Sequence, residues 1–449
     1  MKIYGLGEDE IEKAFRSGNL TISVYGLGKI GLPLAAVFAE NGAEVIGADI
    51  NEALVEKINS GENPLPEEPG LSELVKKNVE RGRLRATSDL KKAAQLSDVM
   101  VIIVPTLLDE HNNPDLSAVF SACEEISKGL EKGDLVIQES TVPPGTTQNV
   151  IVPILEKSGL KVGEFGVAHC PERVASGRAI KDITGAYPKV VGGVDELSTR
   201  TAAALYKVIN KKGVIPVSNA TTAEAVKVFE GIYRDVNIAL ANQLALVCEE
   251  LGIDAVEVFS VANTQPYSHL HMPGCGVGGH CIPVYPYFIM KTVRSDTSLL
   301  ELSRKINDSM PQHVVSTLMK MLRSTGVKRP KVLVLGLTFR GGVRETRYSP
   351  ALKIVELLNE EGVDVYAYDP LLGKEEVERC ARARYMPPDA FDGDAVLIAA
   401  DHQEFKRLDW SSLGRRMRNK IVVDGRQVVD VKALRRMGFK CTRVGMPCF

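Results

Sequence analysis

Two cysteines share the stretch Gly274-Cys275-Gly276-Val277-Gly278-Gly279-His280-Cys281-Ile282-Pro283. Glycines at that density let backbone and ligand approach closely, and a thiol held on such a loop can act as a nucleophile. A buried cysteine is also a common small hydrophobe, so the loop alone leaves both roles open. Far upstream, Gly26-Leu27-Gly28-Lys29-Ile30-Gly31 is a G-x-G-x-x-G between a strand pattern and a helix pattern. Gly26 suits the tight turn, Gly28 admits a pyrophosphate, and Gly31 allows close packing of helix on strand. The helix N-terminus adds unpaired N–H groups for phosphate. Asp49 closes the next strand about 20 residues on, where a ribose-binding carboxylate favours NAD over NADP. A thiol together with a nicotinamide cofactor implies oxidation through a covalent thio-intermediate.

The elements that position these groups follow from pattern. Thr21–Gly26 reads as a buried strand, Leu32–Asn41 as a helix and Glu44–Asp49 as a second strand. Further strands are expected at Asp98–Val104, Leu135–Glu139 and Lys189–Gly192, so strands alternate with helices as in a parallel α/β sheet. Thr221 to Gly252 then reads as one long helix, with Thr221 and Glu224 as a capping box and Gly252 as its stop. A helix over 298–323 leads to a second α/β unit, with strands at Lys331–Gly336, Asp364–Tyr368, Asp394–Ala399 and Lys420–Val423. The expected architecture is two Rossmann-like doubly wound α/β domains joined by a long central helix. Its divisions are an N-terminal extension (1–20), an NAD-binding domain (21–205), a central helical region carrying the cysteine loop (206–326) and a C-terminal α/β domain (327–449).

A chain of 449 residues exceeds one hydrophobic core. Its net charge of −2 supplies no global attraction to nucleic acid or anionic lipid. Met1–Leu20 lacks the apolar core of a signal peptide, and no apolar run reaches membrane-span length. The eight cysteines contain no CxxC, and His269, His271 and Cys275 match no zinc spacing. The pattern reads as free thiols in a reducing cytoplasm with no metal.

These motifs resemble the nucleotide-sugar 6-dehydrogenases, from Val24 to about Val428. The resemblance implies oxidation of a sugar C6 alcohol to a carboxylate with two NAD+ per sugar, through a thiohemiacetal and a thioester on Cys281. It also implies a homodimer, or a higher homo-oligomer, built on the long helix. Ser140-Thr141-Val142-Pro143 resembles the segment near nicotinamide and the nucleophilic water. Cys170-Pro171-Glu172-Arg173-Val174 places Glu172 on the glutamate that activates that water. Lys227 matches the active-site lysine, which suits an oxyanion. The catalytic set is therefore Cys281, Lys227, Glu172 and Thr141, and the cofactor set Gly26, Gly28, Lys29, Ile30, Gly31, Asp49, Thr106 and Thr141.

For the UDP-sugar, the resemblance selects Glu172, Arg173, Lys227, Arg234, Asn237, His271, Gly274, Gly278, Phe339, Arg340, Arg347 and Arg426. Arg426 belongs to Asp424-Gly425-Arg426, and a guanidinium fork suits a diphosphate. Ser349 and Pro350 also make a good N-cap and first helical residue. Arg340 stands where the family has a lysine. Val277, His280 and Cys170–Val174 favour the N-acetylhexosamine branch, with UDP-N-acetyl-D-mannosamine as the expected substrate. The alternatives are a UDP-glucose or UDP-N-acetylglucosamine 6-dehydrogenase, or an impaired nucleotide-sugar binder.

Three positions depart from the family pattern. Tyr285 replaces an aspartate, Gly231 an asparagine, and Tyr267 stands near an expected arginine. On helical spacing Lys227, Gly231 and Arg234 share one face, and Gly231 opens space there. The Tyr285 phenol is expected to fill part of that space and to replace the lost polar contacts.

Overall fold

The computed structural model describes residues 1–174 and 177–448. It divides into two compact units: Met1–Glu230 with Tyr287–Val293, and Gly231–Pro286 with Arg294–Phe449.

The first unit begins with α1 (Glu8–Ser17), which the sequence pattern did not name. Ile3, Ile11 and Phe15 are fully buried, so the first twenty residues pack into this unit's core. Then follow β1 (Thr21–Tyr25), α2 (Gly31–Glu40), β2 (Glu44–Ala48), β3 (Leu84–Thr87), β4 (Val99–Ile102) and β5 (Leu135–Gln138). β6 (Gly166–His169), β7 (Lys189–Gly193), α3 (Glu196–Lys207) and β8 (Val214–Pro216) complete it. The sheet order is β8-β7-β6-β5-β4-β1-β2-β3, and only the β6–β7 pair is antiparallel. β1, β4 and β5 are almost wholly buried on both faces, as expected where helices cover a parallel sheet.

Helix α4 (Ala220–Leu251) belongs to the first unit up to Glu230 and to the second from Gly231. Gly252 ends it with a left-handed φ of 74°. Its start differs from expectation. Asn219, not Thr221, caps it, accepting the Thr222 backbone N–H at 2.8 Å. Glu224 turns away from a capping box and accepts Gly145 N–H at 2.5 Å and Thr147 N–H at 2.7 Å. A fully buried carboxylate is better satisfied by two orphan donors of a neighbouring loop than by its own helix end.

Helix α5 (Tyr285–Met290) belongs to the second unit up to Pro286 and to the first from Tyr287, and the second unit then carries α6 (Ser298–Arg323). Its sheet is built from β9 (Lys331–Leu335), β10 (Asp364–Tyr368), β11 (Arg384–Tyr385), β12 (Ala395–Ile398), β13 (Ile421–Asp424) and β14 (Lys440–Arg443). The order β11-β10-β9-β12-β13-β14 is parallel throughout, again doubly wound. Ser349 caps α7 (Pro350–Glu360) through Ala351 N–H at 3.3 Å, with Pro350 in its first turn.

Candidate functional site

The first unit assembles the cofactor residues at the C-terminal edge of β1 and β2. Gly26 has φ 96°, and a Cβ at Gly31 would lie 1.8 Å from the Gly26 carbonyl oxygen. Both glycines are therefore required by the turn and by helix packing. Gly28 differs. A Cβ there would meet nothing within 4 Å, so the protein's own packing gives no reason for glycine. Close approach of a pyrophosphate does give one. Asp49 accepts Leu27 N–H at 2.8 Å through Oδ2 and Asn51 N–H at 2.9 Å through Oδ1. Those bonds aim the carboxylate, and each oxygen keeps a second lone pair for a ribose hydroxyl. Lys29, Ile30 and Thr106 are half-buried around this turn, and Thr141 is nearly buried in the segment following β5. These residues fit NAD.

Glu172 lies on the loop after β6. Its Oε1 accepts the Val174 backbone N–H, and its own N–H donates to the Glu139 carbonyl at 3.3 Å. Lys227 Nζ stands 3.8 Å from Glu172 Oε2, and both side chains are largely buried. Helix α4 and the β6 loop thus bring a cation and a carboxylate together. Arg173 pairs with Glu230 at 2.9 Å and lies 5.1 Å from the Tyr187 ring centre, while Tyr187 Oη donates to the Arg173 carbonyl.

Behind Glu172 is a group the sequence did not single out. Glu139, Lys189 and Tyr206 form a buried cluster, with Lys189 Nζ 2.9 Å from Glu139 Oε2 and Tyr206 Oη donating to Oε1. Burial raises the Glu139 pKa, opposed by Lys189. With Glu172, Ile30 and Asn210 these residues line a small cavity of about 30 Å³. His169, fully buried, is pushed down to about 3 by desolvation and by the charges of Lys189 and Lys227, so it stays neutral. Separation in sequence hides such a cluster; only the adjacency of β5, β6 and β7 reveals it.

The second unit holds the cysteine loop. Asn242 of α4 accepts Gly274 N–H at 2.9 Å and donates to Asn307 of α6 at 2.9 Å. Asn307 donates in turn to Asp235 Oδ1 at 2.8 Å, which also pairs with Arg304. Cys275 N–H donates to the Gly425 carbonyl at 3.0 Å. Gly279 N–H donates to the Arg347 carbonyl at 3.1 Å, and a Cβ at Gly278 would strike Phe339 Cβ at 2.9 Å. A Cβ at Gly274 would lie 2.9 Å from a terminal nitrogen of Arg426. Gly274, Gly278, Phe339, Arg347 and Arg426 thus converge on this loop. Arg340 is exposed, its guanidinium 6.0 Å from the Phe339 ring centre. Arg234 is exposed beside half-buried His271, whose pKa is lowered by burial and by that arginine. Asn237 donates back to the Tyr233 carbonyl at 2.7 Å.

The two loop cysteines now separate. Cys275 is fully buried, its thiol directed at the Ala399 carbonyl, and burial raises its pKa. Cys281 is half-exposed, and its carbonyl accepts the N–H groups of Val284 and Tyr285 at 3.1 and 3.0 Å. Access favours Cys281 as the reactive thiol.

Residues 20–210 match the NAD binding domain of the UDP-glucose/GDP-mannose dehydrogenase family, 221–309 its central domain and 333–431 its UDP binding domain. The chain belongs to that family. This dehydrogenase is 39% identical over 415 residues to the UDP-N-acetyl-D-mannosamine dehydrogenase of Pyrococcus horikoshii, covering 91% of this chain and 96% of the relative. The solved structure of the P. horikoshii UDP-D-ManNAc dehydrogenase superposes with a TM-score of 0.85 at 37% identity, over 96% and 100% of the two chains. An NDP-N-acetyl-D-galactosaminuronic acid dehydrogenase of Ralstonia solanacearum is 35% identical, over 94% and 100%. Among the described residues of this dehydrogenase, no helix is long and apolar enough to cross a membrane and no cluster could hold a metal ion.

Proposed function

We propose that this dehydrogenase oxidises the C6 hydroxyl of UDP-N-acetyl-D-mannosamine to the uronate, with Cys281 as covalent nucleophile. The observation that carries the mechanism is the contrast between accessible Cys281 and sealed Cys275 on one loop. The choice of sugar rests on what the P. horikoshii relative is named for.

Gly26–Gly31 and Asp49 would hold NAD, which when bound would supply the hydride acceptor for both oxidation stages at C6. Cys281 adds to the aldehyde carbon, forming a C–S bond and leaving negative charge on oxygen. Lys227 stabilises that oxygen, since a positioned cation is worth most where charge develops. The thiohemiacetal carbon becomes a thioester at the second stage. Glu172 then removes a proton from water as it attacks that carbon. The C–S bond breaks, Cys281 leaves as thiolate, and the carboxylate is free. Thr141 orients the water, while Arg426, Arg347 and Phe339 hold the UDP moiety. Arg234, Asn237 and His271 contact the sugar.

We also assign a homodimer built on α4, acting in the cytoplasm. The helix exposes Phe229, Tyr233, Leu240, Val247 and Leu251, and these positions fall on one stripe. The Ralstonia relative favours a galacto-configured substrate as the second reading.

The test combines two variants. Cys281→Ser should abolish uronate while UDP-sugar binding persists. Glu172→Gln should accumulate a sugar adduct on the Cys281 peptide after acid quench. Uronate from Cys281→Ser at the wild-type rate would reject the covalent mechanism.

A further inference from the structure

Gly231 lies inside α4, where glycine costs about 1 kcal/mol relative to alanine. It has no positive φ to justify it. Space does justify it. A Cβ at Gly231 would fall 2.3 Å from Cδ2 of Tyr285 and 3.2 Å from both Cγ and Cε2. The ring is therefore seated directly on the Gly231 backbone, and a rigid ring in that position can yield only by moving as a whole. Tyr285 is 6% exposed, so its seat is enclosed.

The same residue is tied to the thiol. Tyr285 N–H donates to the Cys281 carbonyl at 3.0 Å, beside the bond from Val284. At its other end the loop is pinned through Gly274 to Asn242 and through Cys275 to Gly425. Gly279 N–H donates to the Arg347 carbonyl at 3.1 Å just before Cys281, and Tyr285 closes the turn just after it.

We infer that Tyr285 is a positioning residue for Cys281, with Gly231 as its seat. The inference rests on the reading of Cys281 as nucleophile. The ring's packing fixes the turn, and the turn fixes the direction of the thiol. The pair must change together: any side chain at position 231 displaces the ring and, with it, Cys281.

The test is peptide-resolved alkylation of the full-length protein by iodoacetamide, alongside steady-state kinetics. Half-exposed Cys380 and Cys448 serve as internal controls, and buried Cys123 and Cys170 report loss of fold. Gly231→Ala should alter the alkylation rate of Cys281 alone and lower kcat about 100-fold, the scale of an ångström-sized misplacement. Its KM for NAD should stay within about twofold, a spread typical of uncoupled sites. Adding Tyr285→Ala to Gly231→Ala should recover part of the lost kcat, because the clash is gone.

Unchanged alkylation and kcat in Gly231→Ala would overturn the inference. So would a double variant no better than Gly231→Ala, or a rise at every cysteine together. Should Cys281→Ser still produce uronate, the nucleophile reading fails instead, while alkylation still reports whether ring and thiol are coupled.

Discussion

At the residue scale, reactivity on the cysteine loop follows from access. Cys275 gives its thiol to a carbonyl in a sealed pocket, whereas Cys281 opens a turn and is only partly buried. Spacing alone does not rank the two; the family resemblance points to Cys281, and burial sets the two thiols apart. Asp49 illustrates the same point for the cofactor. Its carboxylate is already aimed by two backbone N–H groups. Asp49→Ala should therefore weaken NAD binding by about 1.5–3 kcal/mol, the range for a hydrogen bond to a charged group. Discrimination against NADP should relax as well. Titration with both cofactors checks this, and unchanged preference would remove the ribose assignment. Arg426 donates through Nε to the Ala399 carbonyl at 3.0 Å, which leaves its terminal nitrogens beside Gly274. On the proposal that Arg426 binds the diphosphate and not the reacting carbon, Arg426→Ala should raise the KM for the UDP-sugar at nearly constant kcat.

At the scale of elements, the alternation of strand and helix was legible because buried parallel strands read as short apolar runs. β1, β2, β9, β10 and the whole of α6 stand within a residue or so of expectation. Glu224 was misread. Its spacing from Thr221 imitates a capping box, but tertiary packing sends it to Gly145 and Thr147, on the loop that follows Thr141. Burial raises its pKa to about 6. A carboxyl raised in the folded state binds more protons there than in the unfolded chain. Stability therefore falls as pH rises from the ordinary carboxyl range through 6, by about 2 kcal/mol at most. Glu224→Gln should remove this component, so wild type and variant should differ in the slope of Tm against pH between about 4.5 and 6.5. Parallel slopes would show that Glu224 ionises without cost. The cluster of Glu139, Lys189 and Tyr206 lay beyond sequence reasoning, because nothing local predicts which strand ends become neighbours.

At the scale of the whole molecule, two doubly wound sheets and a long helix supply the parts a two-stage oxidation needs: a dinucleotide turn, a UDP-facing loop set and a glycine-rich thiol loop. The stripe from Phe229 to Leu251 predicts association through α4. Leu240→Glu should lower the mass seen by light scattering from that of two chains to one, and an unchanged mass would place the interface elsewhere. The departures at Gly231 and Tyr285 were legible as anomalies, yet only the packing of the ring on the helix explains why they occur together. Central to the account is that this machinery completes a four-electron oxidation. The most direct test is the NADH yield from limiting UDP-N-acetyl-D-mannosamine, with the gluco and galacto epimers and UDP-glucose run in parallel. The account predicts two NADH and one uronate per UDP-N-acetyl-D-mannosamine. A yield of one, with an aldehyde or an enzyme-bound adduct in place of uronate, would contradict it, as would full turnover of a different sugar alone.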